Sequence, residues 1–272
     1  MPADVTFVGT ATTLLRLGSF TLLTDPNFLR KGDLAYLGYG LWTRRRTEPV
    51  LDIEDLPALD AVVLSHLHGD HFDRIAKARL PRETPIVTTP SAAQRLGRLR
   101  FREAVGLPRW ANLEFRKGSE LLRVTSVPGQ HGPAGVHRLV PELMGSVIDL
   151  YDTGERRLRL YVTGDTLYRR WLRRIPERFP DIDAMLVHLG GTRVLGVLLT
   201  MDGRQGADMV ELVRPRLTLP IHYDDYTAFK SPLSDFTSEV HDRDIDHRVR
   251  PIHHGQIVEL PLRASTRGAG TI

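Results

Sequence analysis

The hydrophobic positions of this chain recur in short strand-like segments separated by longer stretches with helix-starting signals. The predicted strands are residues 4–8, 12–17, 20–24, 60–65, 86–89, 112–116, 121–127, 146–151, 157–162, 183–187, 216–221 and, interrupted near 253–255, 248–260. The predicted helices are residues 70–79, 91–99 (starting at the cap-like Ser91), 167–174, 200 or 202 to 213, and 234–243. Both halves of the chain therefore consist of strands followed by strand–helix units.

Residues 26–50 are predicted to be a long loop, because their apolar positions follow neither the helix nor the strand period. Loops of this length inside a compact domain are usually functional or disordered. Its apolar residues argue against disorder; they are Phe28, Leu29, Leu34, Tyr36, Leu37, Tyr39, Leu41 and Trp42. We interpret the segment as a lid or wall over a functional site, with the alternative that it only covers the hydrophobic core.

The composition is that of an ordinary globular protein. With 272 residues, 41% apolar and 26% charged, the chain is long enough to bury a large core. It has no cysteine, which excludes disulfides and thiolate ligands and fits a cytoplasmic protein. No apolar run approaches the about 18 residues of a transmembrane segment, and we see no signal peptide. We predict one domain at 1–263 and a disordered tail, rich in Ser, Thr and Gly, at 264–272.

The net charge of +4 is modest, and nearly all basic residues are arginine. We attribute the arginine content to a codon-biased genome rather than to a nucleic-acid surface. We therefore expect no nucleic-acid partner.

Four candidate metal ligands lie within six residues in His66-Leu67-His68-Gly69-Asp70-His71. In an extended segment His66 and His68 point to the same side, and Gly69 permits the turn that brings Asp70 and His71 around. Neighbouring imidazole and carboxylate groups suit two adjacent divalent cations such as zinc. The alternative is a histidine-rich helix N-terminus, but the full spacing directly after a strand favours metal binding.

This motif resembles the signature of the metallo-β-lactamase superfamily of metallohydrolases. The resemblance implies an α/β fold, a four-layer αββα sandwich in a single domain, with three further ligands at strand ends. His131, Asp165 and His222 occupy those places in the expected order. It also implies that Asp25, after the third strand, supports the metal-bound histidines; a simple Asp-Pro turn is the alternative.

The same resemblance implies two divalent metal ions that share a hydroxide, with zinc the first candidate and manganese or iron the alternatives. One ion would be bound by His66, His68 and His131, the other by Asp70, His71 and His222, with Asp165 as the bridge. Asp70 would also orient the hydroxide and handle its proton. We therefore predict a metal-dependent hydrolase.

Other histidines are weaker candidates for a catalytic role. His188 follows the 183–187 strand and is expected at the active-site rim, while His253 and its neighbour His254 precede the last strand segment. Either His253 or His254 could hydrogen-bond a substrate oxygen or a water molecule behind the metal ligands. The histidines interpreted as surface residues are His137, His241 and His247.

Four segments resemble one branch of the superfamily, which includes the N-acylphosphatidylethanolamine-hydrolysing phospholipase D and the ascorbate-6-phosphate lactonase. They are Thr24-Asp25-Pro26, Thr163-Gly164-Asp165-Thr166, Gly190-Gly191 and Pro220-Ile221-His222-Tyr223. Because these two enzymes catalyse different reactions, the fold does not choose the substrate. We hold three hypotheses: a phosphodiesterase or other phosphoester hydrolase first, and a lactonase or carboxylic-ester hydrolase second. A metal-dependent nuclease or nucleic-acid-binding module ranks low, because residues 165–222 leave no room for the extra nuclease domain.

The expected partner is a small anionic substrate that carries an acyl or other apolar group. Arg44, Arg45 and Arg46 could pair with its charge, while apolar residues of the 26–50 segment hold its apolar part. The alternative is that these arginines solvate an exposed turn. The sequence leaves the oligomeric state open.

Overall fold

Two β-sheets form the centre of the fold. The computed structural model of the chain describes residues 1–38, 40–135 and 140–265. Its strands are β1 (Ala3–Gly9), β2 (Thr12–Leu17), β3 (Phe20–Thr24), β4 (Leu34–Gly38), β5 (Leu41–Arg44), β6 (Ala61–Val63), β7 (Ile86–Thr88), β8 (Ala104–Gly106), β9 (Asn112–Lys117), β10 (Glu120–Pro128), β11 (Met144–Asp152), β12 (Glu155–Val162), β13 (Ala184–His188), β14 (Arg193–Val194), β15 (Val197–Leu198), β16 (Leu217–Ile221) and β17 (Ile257–Glu259). A seven-stranded sheet has the order β17-β1-β2-β3-β6-β7-β8, and a six-stranded sheet has the order β16-β13-β12-β11-β10-β9.

Helices cover the outer face of each sheet. They are α1 (Arg74–Arg79), α2 (Pro90–Arg98), α3 (Arg174–Arg178), α4 (Gly203–Val213) and α5 (Leu233–Asp242), with 3₁₀ turns at Ile53–Asp55, Arg170–Arg173 and Asp246–Arg248. α1 and α2 pack on the seven-stranded sheet, and α3, α4 and α5 pack on the six-stranded sheet. The order helices, sheet, sheet, helices confirms the predicted αββα sandwich in a single domain.

Hydrophobic side chains on both faces of the strands hold the four layers together. Leu22 packs between the two sheets, and its neighbour Leu23 packs on the α1–α2 side. In the other sheet Leu186 lies between the sheets and Met185 contacts the α3–α5 side. Each such side chain contributes about 1.5–3 kcal/mol when fully buried. Burial on both faces is why the strands form nearly continuous apolar runs in the sequence.

Two helices begin at different residues from those predicted. The start of the first helix at residue 70 was wrong, because Asp73 caps α1 by accepting a hydrogen bond of 2.7 Å from a backbone N–H of its first turn. Ser91 was wrong as the cap of α2. Thr89 caps that helix, and Pro90 occupies its first position, where its missing N–H costs nothing.

Other segments also differ from the predicted elements. Residues 26–50 are not a loop throughout, since β4 and β5 pair as a hairpin. The strand predicted over 248–260 is reduced to β17, because Gln256 N donates to His253 O at 3.0 Å and closes a turn there. The helix predicted at 167–174 begins later, at Arg170. The short strands β8, β14 and β15 were missed.

The predicted tail begins beside β12. Ser265 Oγ donates a hydrogen bond of 2.8 Å to Glu155 Oε2. Residues 266–272 lie outside the described residues, so the domain boundary at 263 stays a prediction. Within the described ranges no helix is long and apolar enough to cross a membrane.

The close contact between α4 and α5 gives a test of the packing. A Cβ atom at Gly203 would lie 2.5 Å from Phe236 N, so Gly203→Ala should lower the free energy of unfolding by about 1–3 kcal/mol. Gly97 in α2 is the matched control, because no atom lies within 4 Å of its Cβ position. Gly97→Ala should raise stability by about 0.5–1 kcal/mol through helix propensity. Urea denaturation measures both, and a fully stable Gly203→Ala variant would contradict the contact.

Candidate metal centre

The candidate ligands lie where strands of the two sheets end at one edge of the sandwich. In the seven-stranded sheet, β6 runs parallel to β3 and leads into residues 66–71. In the six-stranded sheet, β12, β13 and β16 run parallel, so β12 leads to Asp165 and β16 to His222. β10 runs in the same direction as β12, since both pair antiparallel with β11, and it leads to His131. The topology therefore brings together residues up to 156 positions apart in the chain, as 66 and 222 show.

The first cluster consists of three imidazoles, His66, His68 and His131. His68 Nδ1 lies 2.9 Å from His66 Nε2 and 3.3 Å from His131 Nε2. All three side chains are buried. Burial lowers the pKa of each, to about 3 for His68. These imidazoles are therefore neutral near pH 7, which is the form that binds metal ions.

The second cluster joins two carboxylates and two imidazoles: Asp70, His71, Asp165 and His222. His71 Nε2 lies 3.2 Å from Asp165 Oδ2. His222 Nε2 lies 3.6 Å from Asp165 Oδ1 and 3.7 Å from Asp70 Oδ2. Burial lowers the pKa of His71, but the charges of Asp165 and Asp25 outweigh it and hold that pKa well above the usual value. Burial likewise raises the pKa of Asp165, but His222 and His71 bring it well below the usual value.

Several buried atoms of the second cluster form no hydrogen bond within the described part of the chain. They are Asp70 Oδ1, His71 Nε2, Asp165 Oδ1 and His222 Nε2. A buried polar atom without a partner costs about 1–3 kcal/mol. Within each cluster the ligand atoms lie within 4.8 Å of one another. Because imidazole and carboxylate groups are ligands of Zn²⁺, Mn²⁺ and Fe²⁺, the residues present fit a metal ion in each cluster.

The β4–β5 hairpin packs against the loop that carries these ligands. Gly69 N donates a hydrogen bond of 2.9 Å to Tyr36 O. A Cβ atom at position 69 would lie 2.7 Å from Tyr36 N, so glycine permits this approach. On the other side Asn27 Nδ2 donates to Gly69 O at 3.0 Å. The 26–50 segment therefore forms part of the wall of the site.

Asp25 lies directly behind the second cluster. Its Oδ1 accepts a hydrogen bond of 2.7 Å from Ser65 N, and its Oδ2 lies 3.2 Å from His71 Nδ1. The backbone at Asp25 has a φ of 36°, a left-handed conformation that carries strain. A carboxylate on the far nitrogen of a ligating histidine fixes the ring and increases its basicity. The geometry therefore favours the supporting role over a simple turn.

His188 and His253 do not occupy the predicted positions. His188 is fully buried, not on the rim: its Nε2 lies 3.6 Å from Asp25 Oδ2, and its ring stacks on His71 with 6.1 Å between centroids. His253 is exposed, and its backbone N–H donates to Gln256 Oε1 at 2.9 Å. Neither lines the cavity beside the ligands. The rim position was wrong for His188, and the geometry gives neither residue contact with a substrate.

Among the described residues, the remaining histidines also lie away from the clusters. His254 Nε2 lies 3.2 Å from Asp225 Oδ1, where it supports a loop rather than a substrate. His241 and His247 are both exposed, as predicted. His137 lies outside the described residues.

A cavity of about 400 Å³ opens directly onto the two clusters. Its polar lining consists of His68, Asp70, His131, Asp165, Thr192 and Thr200. Its apolar lining consists of Leu37 and Leu41 from the β4–β5 hairpin, with Val140, Val194, Leu195, Val197 and Leu199. Among the described residues no lysine or arginine lines this cavity. We call it the apolar cavity.

The three arginines of the 26–50 segment do not reach the apolar cavity. Arg45 is fully buried, donates to Asn27 Oδ1 and lies 3.9 Å from Asp225 Oδ1. A buried charge with fixed partners specifies the local packing. Arg44 and Arg46 are exposed and absent from the lining. The prediction that these arginines hold the substrate charge was therefore wrong in its choice of residues.

Comparison with known proteins places the chain in a family. The family described as a beta-lactamase superfamily domain matches residues 22–223, which contain all the candidate ligands. The chain belongs to the metallo-β-lactamase superfamily. A UPF0173 metal-dependent hydrolase of Aeropyrum pernix is 24% identical over 270 residues, covering 95% of this chain and 98% of that protein.

Two further comparisons agree with this membership. A UPF0173 metal-dependent hydrolase of an Anaeromyxobacter species is 28% identical over 213 residues, which is 76% of this chain and 72% of that protein. The solved structure of an isothiocyanate hydrolase from Delia radicum gut bacteria has a TM-score of 0.80 at 20% identity and covers 95% of this chain and 99% of its own. The superfamily predicted from the histidine motif is confirmed, and so is its fold.

The sequence did not predict one wall of the apolar cavity beside the candidate metal centre. The β14–β15 hairpin lines the apolar cavity, and Leu199 O lies 3.0 Å from His131 Nδ1, so that it orients the imidazole. The available signal was the apolar run at 197–199 within a segment that carries Gly190-Gly191 and Gly196. Two-residue strands are too short for a periodic pattern to reveal.

The position of Asp25 predicts its effect on metal binding. Asp25→Asn can still accept from Ser65 N but loses the charge beside His71, so metal affinity should fall about 10–100-fold. Competition titration against a chromophoric chelator measures this affinity. Asp183→Asn is the matched control, because Asp183 is equally buried but lies at the start of β13, away from the clusters. Equal losses in both variants would contradict the supporting role.

Proposed function

We propose that this protein is a metal-dependent hydrolase that opens a lactone or carboxylic ester bearing an apolar group. The enzyme class, a metal-dependent hydrolase, rests on superfamily membership and on the two ligand clusters. The choice of substrate rests on one observation: the wall of the apolar cavity beside the clusters is formed by leucine and valine side chains. Such a wall favours burial of an alkyl or acyl group.

The ligand assignment is part of this proposal. His66, His68 and His131 would hold one divalent ion, and Asp70, His71 and His222 the other. Asp165 would bridge the two, although it groups with the second cluster in the structure. Zinc is the proposed metal, with manganese and iron as alternatives for the same nitrogen and oxygen ligands. When bound, two such ions supply Lewis acidity and generate a nucleophile from water at neutral pH.

The chain's own groups orient the reactants. Asp70 belongs to the second cluster and lines the apolar cavity, and its Oδ1 has no hydrogen-bond partner among the described residues. It is positioned to take a proton from the attacking water and deliver it to the leaving alkoxide oxygen. Thr192 and Thr200 also line the cavity and offer hydroxyl groups to the polar part of the substrate. The apolar wall orients the remainder of the substrate and excludes water.

The phosphodiester hypothesis has less support from the site. The sequence offered Arg44, Arg45 and Arg46 to the charge of either substrate class, and none of the three lines the apolar cavity, which has no lysine or arginine among its described lining residues. A phosphodiester always carries a charge, whereas a lactone or carboxylic ester need not. The resemblance to a branch that includes both a phospholipase D and a lactonase does not separate the two reactions, and membership of that branch is part of the proposal. A cytoplasmic location also stays a prediction.

Substrate preference tests the proposed function. Purified protein should hydrolyse γ-lactones and butanoate esters with higher kcat/KM than bis(p-nitrophenyl) phosphate. Each methylene added to the lactone side chain should raise kcat/KM by up to about fourfold, because burying one methylene is worth about 0.8 kcal/mol. A chelator should abolish the activity, and zinc or manganese should restore it. A phosphodiester that reacts faster than every ester and lactone would overturn the choice of substrate. Phenylethyl isothiocyanate completes the panel, because a protein of the same fold is described as an isothiocyanate hydrolase.

Asp70→Asn tests the mechanism separately. The amide cannot accept the proton of the attacking water, so turnover should fall by at least about 100-fold. Thermal unfolding and metal content should show that the variant remains folded and loaded. Retention of more than a few per cent of turnover in metal-loaded Asp70→Asn would remove this carboxylate from the mechanism.

A further inference from the structure

A second cavity adjoins the candidate metal centre. It has a volume of about 590 Å³ and shares His131 and Val140 with the apolar cavity. The other lining side chains differ in character: they include Arg109, Arg174 and Trp171. We call it the arginine–tryptophan cavity. The two cavities therefore adjoin at His131 and Val140.

The two arginines of this cavity have guanidinium groups without a partner in the described part of the chain. Among the described residues, neither Arg109 nor Arg174 has a hydrogen-bond or ion-pair partner for its guanidinium group. Other arginines of the chain contrast with them; Arg159, for example, lies 2.7 Å from Asp149 Oδ1. Two unpaired guanidinium groups in one cavity offer planar donors for anionic oxygens.

The remaining lining residues leave the cavity with a positive balance. Glu142 is the one carboxylate among the described lining residues, and its Oε2 accepts hydrogen bonds from Ser91 Oγ at 2.9 Å and Ser91 N at 3.3 Å. Trp110 is held in place by stacking on Phe179, with 6.4 Å between ring centroids. Trp171 is 36% exposed at the cavity. Flat aromatic surface beside arginine suits a ligand with a flat apolar part and a charged end.

We propose that the arginine–tryptophan cavity binds an anionic oxygen group, a carboxylate or a phosphate, on the part of the substrate that extends past His131 from the apolar cavity. This inference rests on the proposed hydrolase function and deepens it. The substrate is then an amphiphile: its apolar group lies in the apolar cavity, its reacting bond lies at the clusters, and its anion pairs with Arg109 and Arg174. The anionic substrate expected from the sequence is thereby retained, with different arginines.

Ligand binding tests the cavity without turnover. The probes are 4-butoxybenzoate, 4-butoxyphenylphosphonate and the neutral 4-butoxybenzamide, none of which contains an ester or lactone bond for the proposed hydrolase to cleave. Isothermal titration calorimetry of the wild-type protein should show tighter binding of the anionic probes, by about tenfold or more. The anionic probe that binds more tightly identifies whether carboxylate or phosphate is preferred. Arg109→Gln/Arg174→Gln should bind all three probes equally.

A matched control separates local pairing from the general field of the protein. Arg102→Gln/Arg170→Gln removes the same charge from exposed residues near the two arginines in sequence but outside the cavity lining. This control should keep the wild-type preference. The proposal is overturned if the Arg109/Arg174 variant keeps the preference, as it would if metal ions alone held the anion. It is also overturned if the control loses the preference equally, or if the wild-type protein shows none.

Kinetics connects the cavity to the reaction. The substrates are 4-carboxyphenyl butanoate and its neutral analogue 4-carbamoylphenyl butanoate, which share an acyl group and contain one ester bond each. The ratio of their kcat/KM values should fall about tenfold in Arg109→Gln/Arg174→Gln and stay unchanged in the control. If neither ester is hydrolysed by any form, the proposed function fails while the calorimetry still decides the binding site.

Discussion

The structure depends on holding buried carboxylates next to buried imidazoles. Asp25, Asp70 and Asp165 are all nearly inaccessible to solvent. Burying carboxylates that lack countercharges is costly, and in this structure His71 lies between two of them, 3.2 Å from each. The positive charge of protonated His71, or of a divalent cation bound there instead of the proton, offsets the repulsion between these carboxylates. The parallel strands that end at this edge of the sandwich fix the position of each carboxylate and imidazole.

The loops around the clusters divide the site into parts with different chemistry. Two hairpins, β4–β5 and β14–β15, give one side a wall of leucine and valine. The segments around Arg109 and Arg174 give the adjoining side charge and aromatic surface. His131 lines both cavities, so in the proposed function its position determines where the reacting bond of a substrate lies relative to them. In that proposal substrate choice depends on the loops, while the candidate ligand clusters depend on the sheets.

A buried network connects the loops to the ligand segment. Asn27 Nδ2 donates to Gly69 O. Asn27 Oδ1 accepts from Arg45 and also accepts from the Tyr226 hydroxyl at 2.9 Å. Asp225 accepts from Thr10 N at 2.8 Å and lies near Arg45. The network thus joins the hairpin base, the ligand loop and the loop after β16. A charge buried in this way specifies one arrangement of the three segments, because other arrangements would leave it unpaired.

The sequence by itself determined the fold and the composition of the ligand clusters. The spacing from His66 to His71 and the strand that precedes it are local features, and the apolar runs follow from strands buried on both faces. Only the tertiary structure decided the role of single residues such as Arg45. In the sequence Arg45 is one of three consecutive arginines, whereas in the fold it is the buried one. It also decided that His188 lies behind His71 rather than at the rim, and that Arg109 and Arg174, 65 positions apart in the chain, line the same cavity. Local pattern specifies elements, whereas burial and pairing depend on which distant segments come into contact.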